Sequence, residues 1–178
     1  MGLDEKLSTL MFVFAALGIA SGAIVAGRLS QRNIEFGTMP GGAALMTAAT
    51  YIIGIMPAHP YNSVWPFIML PILIFLCGTG CGLFIVPLDT FMQLRLPAEK
   101  RGEGLALSSF MSWSGVLIAG CTLYLLHKIK AGPAAGFMIM TIPTAILAFV
   151  SFFALKDFAF RFFVNSIVRL IYKVRVIG

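Results

Sequence analysis

Residues 36–88 contain no Asp, Glu, Lys or Arg, an uncharged interval of 53 residues. An ionised side chain at the middle of a bilayer is strongly unfavourable, so uncharged intervals of this kind mark stretches that a membrane can accept. About 20 apolar residues in a helix cross the hydrocarbon core, so the interval is too long for one span. The break falls at residues 57–66, "PAHPYNSVWP", where prolines with an Asn and a Ser favour a loop over a helix. The same reading of the remaining intervals predicts five spans, at residues 7–27, 38–56, 65–94, 104–126 and 136–155. With 59% hydrophobic and 11% charged residues, the composition lies outside that of a soluble domain. A membrane β-barrel would alternate polar and apolar positions, and these runs do not. The expected fold class is an all-α polytopic membrane protein with five transmembrane helices.

The basic residues orient these spans. If the loop after the first span is cytoplasmic, that side holds Arg28, Arg32, Arg95, Lys100, Arg101, Lys156, Arg161, Arg169, Lys173 and Arg175, against Lys6, Lys128 and Lys130 on the other. The C-terminus is then inside and the N-terminus outside, with Tyr61, Trp65 and Tyr124 near the outer ends of their helices. No cleavable signal precedes "MGLDEKLSTL" to carry that end across. The expectation is a preceding helix, with Met1 an internal methionine of a longer protein. The net charge of +6 is accounted for by inner-leaflet and loop positions and calls for no nucleic acid.

Within the spans, Gly18 and Gly22 form a GxxxG extended by Gly27, and "GTGCG" places Gly78, Gly80 and Gly82 in the third span. Small residues let helices approach where no hydrophobic drive exists between them, so a packed bundle is expected. Pro66, Pro71 and Pro87 along the third span suit either a kinked, cavity-lining helix or the ordinary proline content of membrane helices. Cys77, Cys81 and Cys121 lack His or carboxylate neighbours and read as packing residues rather than a metal site. No metal or cofactor is expected.

Asp89 is the acid that most needs a reason, because "DTFMQL" continues apolar for more than a turn before Arg95. Two readings are open. It can latch the third span to the basic loop, with Gly27, Arg28, Arg32, Arg95 and Arg101 as the loop side, or it can act directly on a substrate or proton. Gln93, Ser108, Ser109, Ser112 and Trp113 join it as candidates for a polar path or gate, with plain helix packing as the alternative for the serines. Residues 157–171 read as a basic amphipathic helix in the inner headgroup plane. Residues 172–178, "YKVRVIG", alternate like the start of a strand in a truncated following domain.

These residues resemble a known family. "ALGIASGAIVAGRLS", with Gly27, Arg28 and Arg32, is similar to the eighth helix and following loop of major facilitator superfamily transporters, in particular the bacterial lysophospholipid transporter group. "GLFIVPLDTFMQLRLPAEKRGEGLAL" resembles the tenth helix to the start of the eleventh, with Val86, Pro87, Leu88 and Gln93 most telling. The likeness covers nearly all of residues 1–155, and would make the spans helices eight to twelve with the seventh absent. The chain departs from that group at Glu103, where relatives carry arginine, and at Ser108 and Ser109, where they carry paired asparagines. Residues 157–178 resemble the lead-in to a glycerolipid acyltransferase domain, whose His followed five positions later by Asp is absent: Val64 follows His59 and Gly132 follows His127 at that spacing.

The resemblance implies a transporter half in a bacterial inner membrane, moving a lysophospholipid or another amphipathic substrate by alternating access. Its implied partners are membrane lipids, a missing N-terminal half with the seventh helix, and a fused or associated acyltransferase. A non-transporting platform that anchors that acyltransferase is the competing reading. An intramembrane enzyme would need convergent acid, base or metal ligands, and Asp89 has no second such group within the apolar runs.

Overall fold

The computed structural model describes residues 5–29, 37–56 and 65–155. Arg32, Tyr61, most of the proline-rich loop, the amphipathic segment 157–171 and the tail 172–178 lie outside the described residues. The described chain is helical: α1 (Glu5–Leu29), α2 (Thr38–Ile55), α3 (Trp65–Arg95), a short 3-10 turn (Ala98–Lys100), α4 (Arg101–Lys128) and α5 (Pro133–Ala154). All five α-helices are long and apolar enough to cross a membrane, the architecture of a multi-pass α-helical membrane protein. Their bounds follow the five expected spans within a few residues, because charge and proline set both.

Local chemistry explains the ends. Pro133 occupies the first turn of α5, where its missing N–H has no helical partner to lose. The close of α4 is a Schellman turn: Lys130 takes a left-handed conformation (φ 55°), its N–H donates to His127 O at 3.0 Å, and Ala131 N–H donates to Leu126 O at 2.9 Å. Lysine carries the left-handed position that glycine usually fills. Gly132 follows directly and leads into α5.

In space the helices are neighbours in the order α1, α3, α2, α5. Gly18 of α1 lies against Phe75 of α3 and Gly22 against Thr79, and both pairs differ by 57 in residue number, so α1 and α3 run parallel. Gly42 of α2 meets Gly80 and Leu83, while Met46 meets Gly80, so α2 runs antiparallel to α3. Gly54 against Met138 and Thr50 against Thr141 make α2 and α5 antiparallel as well. The chain therefore reverses direction at each described step, as successive membrane spans must.

The core sits on α2, whose Thr38, Met39, Pro40, Gly42, Ala43, Met46, Ala49, Thr50 and Ile53 are buried. Large apolar side chains face outward on all five α-helices, from Phe12 and Leu17 to Phe149 and Phe153. A bilayer is the solvent that such a surface fits. Two Phe pairs, Phe149 with Phe153 and Phe152 with Phe153, add ring contacts at the end of α5.

Candidate functional site

Helix α3 is the junction of the bundle, and its glycines show why. A Cβ on Gly78 or Gly82 would strike backbone carbonyls of α1, those of Ala15 and Ile19, and one on Gly18 or Gly22 would strike the carbonyls of Phe75 and Thr79. The glycine hydrogens in those places point at the opposing carbonyls, a weak but repeated Cα–H···O contact. Gly80, between them in sequence, turns to α2 instead, where a Cβ on it would strike Gly42 O and one on Gly42 would strike Gly80 O. The outer and the middle glycines of "GTGCG" thus serve different partners, since residues two apart on a helix point about 200° apart.

Hydroxyls stitch the same seams. Ser21 Oγ lies 3.1 Å from Thr79 Oγ1 across α1 and α3, and Thr141 donates to Thr50 Oγ1 at 3.2 Å across α5 and α2. Thr79 also reaches Phe75 O at 2.9 Å and Thr50 reaches Met46 O at 2.9 Å, so each hydroxyl stays satisfied within its own helix. Sequence reading passed over these threonines. The signal was present, as isolated hydroxyls in otherwise apolar runs.

Asp89 is half-buried in the last two turns of α3. The α3 positions that meet α1, Phe75, Thr79 and Gly82, are spaced four and three apart, and the same spacing continues through Val86 to Asp89 and then Gln93. Asp89 therefore falls on the stripe that faces α1. The α1–α3 contacts, at offsets of 57 to 63 in residue number, put Arg28, exposed in the last turn of α1, level with residues 85–91 of α3, the stretch that holds Asp89. No ion pair joins Asp89 to Arg28 among the described residues. Gln93 is exposed.

Of the other loop-side residues, Gly27 is exposed and a Cβ there would meet nothing within 4 Å, so it does not extend the packing of Gly18 and Gly22. Arg95 ends α3, and Arg101 opens α4 with its Nε donating to Leu96 O at 3.3 Å. That bond ties the start of α4 to the end of α3 across the 3-10 turn.

Helix α4 stands apart from the seams. It meets its neighbours near its ends, with Gly104 against Leu96 and Met92, and Leu123 and Leu126 against Gly136. Between these points Phe110, Met111 and Trp113 are 64–69% exposed, and a Cβ on Gly115 or Gly120 would meet nothing within 4 Å. Ser108 is half-buried, whereas Ser109 and Ser112 are exposed. Ser112 donates to Ser108 O at 3.0 Å and Ser114 to Phe110 O at 2.8 Å, both within α4. The structure thus keeps Asp89 and Gln93 on α3 and the Ser108 to Trp113 group on α4 as two separate sets.

Cys77 and Cys81 are free and half-buried on α3, and Cys121 is free and exposed. Among the described residues no group of His, Cys, Asp and Glu is placed to hold a metal. Comparison with protein-family models, with curated proteins and with solved structures finds no match for this chain.

Proposed function

We propose that this bundle is part of a membrane transporter of the major facilitator type, and that the complete protein moves a lysophospholipid or another amphipathic substrate by alternating access. The observation that carries the reading is the division of the bundle. Helices α1, α3, α2 and α5 are joined by glycine and hydroxyl seams, while α4 leaves most of its length uncovered, with Ser109, Ser112 and Trp113 on its exposed surface. Such transporters rock two helical halves about a midplane site. A second half lying against α4 would give that surface its neighbour.

In this reading Asp89 and Arg28 share one end of the parallel α1–α3 pair and serve as a latch between the third span and the basic loop, which includes Arg32. The same reading has that end in the cytoplasm, at the inner membrane of a bacterium, with the C-terminus on the same side, and the excess of Lys and Arg in the loops at that end supports the orientation.

The test uses the complete open reading frame in proteoliposomes, with fluorescent lysophospholipids of several head groups. Movement of at least one of them between leaflets, above protein-free vesicles, is the expected result. A complete protein that moves none of them, yet accelerates lysolipid acylation by an attached domain, would overturn transport and favour the membrane-platform reading.

A further inference from the structure

Pro87 is fully buried inside α3 and carries no backbone N–H. In a regular helix that N–H would donate to the carbonyl four residues earlier, so Leu83 O loses its partner within the helix. A hydroxyl from another helix stands beside that carbonyl. Thr38, in the first turn of α2 and 5% exposed, directs Oγ1 at Leu83 O across 3.5 Å. In a lipid-facing bundle an unsatisfied carbonyl is costly, and a long bond from a neighbouring helix is a replacement that can be made and broken without unravelling α3.

The register gives this place a mechanical meaning. Helix α2 starts at Thr38, level with Leu83, and the described part of α1 runs to Leu29, which the α1–α3 contacts, at offsets of 57 to 63 in residue number, put level with residues 86–92. Among the described residues α2 therefore begins just short of Pro87, and residues 88–95 of α3 overhang its start. That overhang carries Asp89 and Gln93, and Leu94 in it is 62% exposed.

We propose that Pro87 and Thr38 form a joint, at which the last two turns of α3 pivot against the glycine-packed part of the bundle, and that the Thr38 hydroxyl holds the joint closed. The claim concerns the backbone of this chain and needs no transported substrate, so it stands or falls separately from the transport reading.

The test is hydrogen exchange by mass spectrometry on the full chain in detergent micelles, following the amides of residues 88–95. Thr38→Val should speed their exchange by about fivefold, the effect of losing one weak hydrogen bond, while Thr38→Ser should leave it near the parent rate. Pro87→Ala restores an N–H that donates to Leu83 O, so it should slow exchange there and abolish the effect of Thr38→Val in the double variant. Unchanged exchange in Thr38→Val, equal acceleration with and without Pro87→Ala, or acceleration spread evenly over α1 and α2 would each overturn the joint.

Discussion

Gly42 of α2 and Gly80 of α3 face each other so closely that a Cβ built on either would lie 2.6 Å from the carbonyl oxygen of the other. Both obstacles are backbone, which cannot turn aside as a long side chain can. Gly80→Ala should therefore lower unfolding stability in mixed micelles by about 1–3 kcal/mol, the usual cost of overpacking. Gly41→Ala, one residue from Gly42 but facing open space, should cost nothing and gain a fraction of a kcal/mol from helix propensity. Equal effects at the two sites would show that the seam is not where the structure puts it.

The hydroxyl pairs call for double-mutant cycles. Ser21→Ala with Thr79→Val, and Thr50→Val with Thr141→Val, should each return a coupling near ~0.6 kcal/mol and below ~1.7 kcal/mol, the span measured for bonds between membrane helices. Additive effects would mean that the hydroxyls serve only the carbonyls of their own helices, such as Phe75 O for Thr79 and Phe137 O for Thr141.

For the latch, Asp89→Asn in the complete protein should reduce transport about fivefold, matching roughly 1 kcal/mol for a partly exposed charge pair. The exchange of charges in Asp89→Arg with Arg28→Asp should recover part of the loss. Asp89→Asn with unaltered transport and unaltered folding would remove the acid from the mechanism.

Trp113 reports the surface of α4 directly. The chain has two tryptophans, Trp65 and Trp113, so Trp65→Phe leaves a single probe. In vesicles of brominated lipid the isolated chain should show strongly quenched Trp113 fluorescence, since its ring is 69% exposed. In the complete protein a second helical half against α4 should protect it. Equal quenching in both would deny α4 that neighbour.

The five helices could be read from charge and proline because those residues act locally: Arg28 closes the first run and the prolines of residues 57–66 break the second. Which glycines pack was not legible in the same way. Gly27 continues the pattern of Gly18 and Gly22 yet faces open space, whereas Gly42 packs beside an idle Gly41. One residue turns a helix by about 100°, so only the neighbour's position distinguishes them, and that depends on α3 lying between α1 and α2. The same holds for Asp89. Its presence in an apolar run was visible, but its place on the α1 stripe required the parallel register.

The spatial order α1, α3, α2 also dictates a sequence of events during synthesis. Spans leave the translocon in chain order, so α1 enters lipid beside α2, whose glycine contact belongs to Gly80 of a helix not yet made. Gly18 and Gly22 wait uncovered until the ribosome has delivered α3, a matter of seconds at ordinary elongation rates. In that interval the nascent chain exposes half of a glycine seam that the α3 of another copy would fit equally well. Membrane crowding at the site of insertion, rather than the stability of the finished bundle, is then what decides how often the helix finds its own partner.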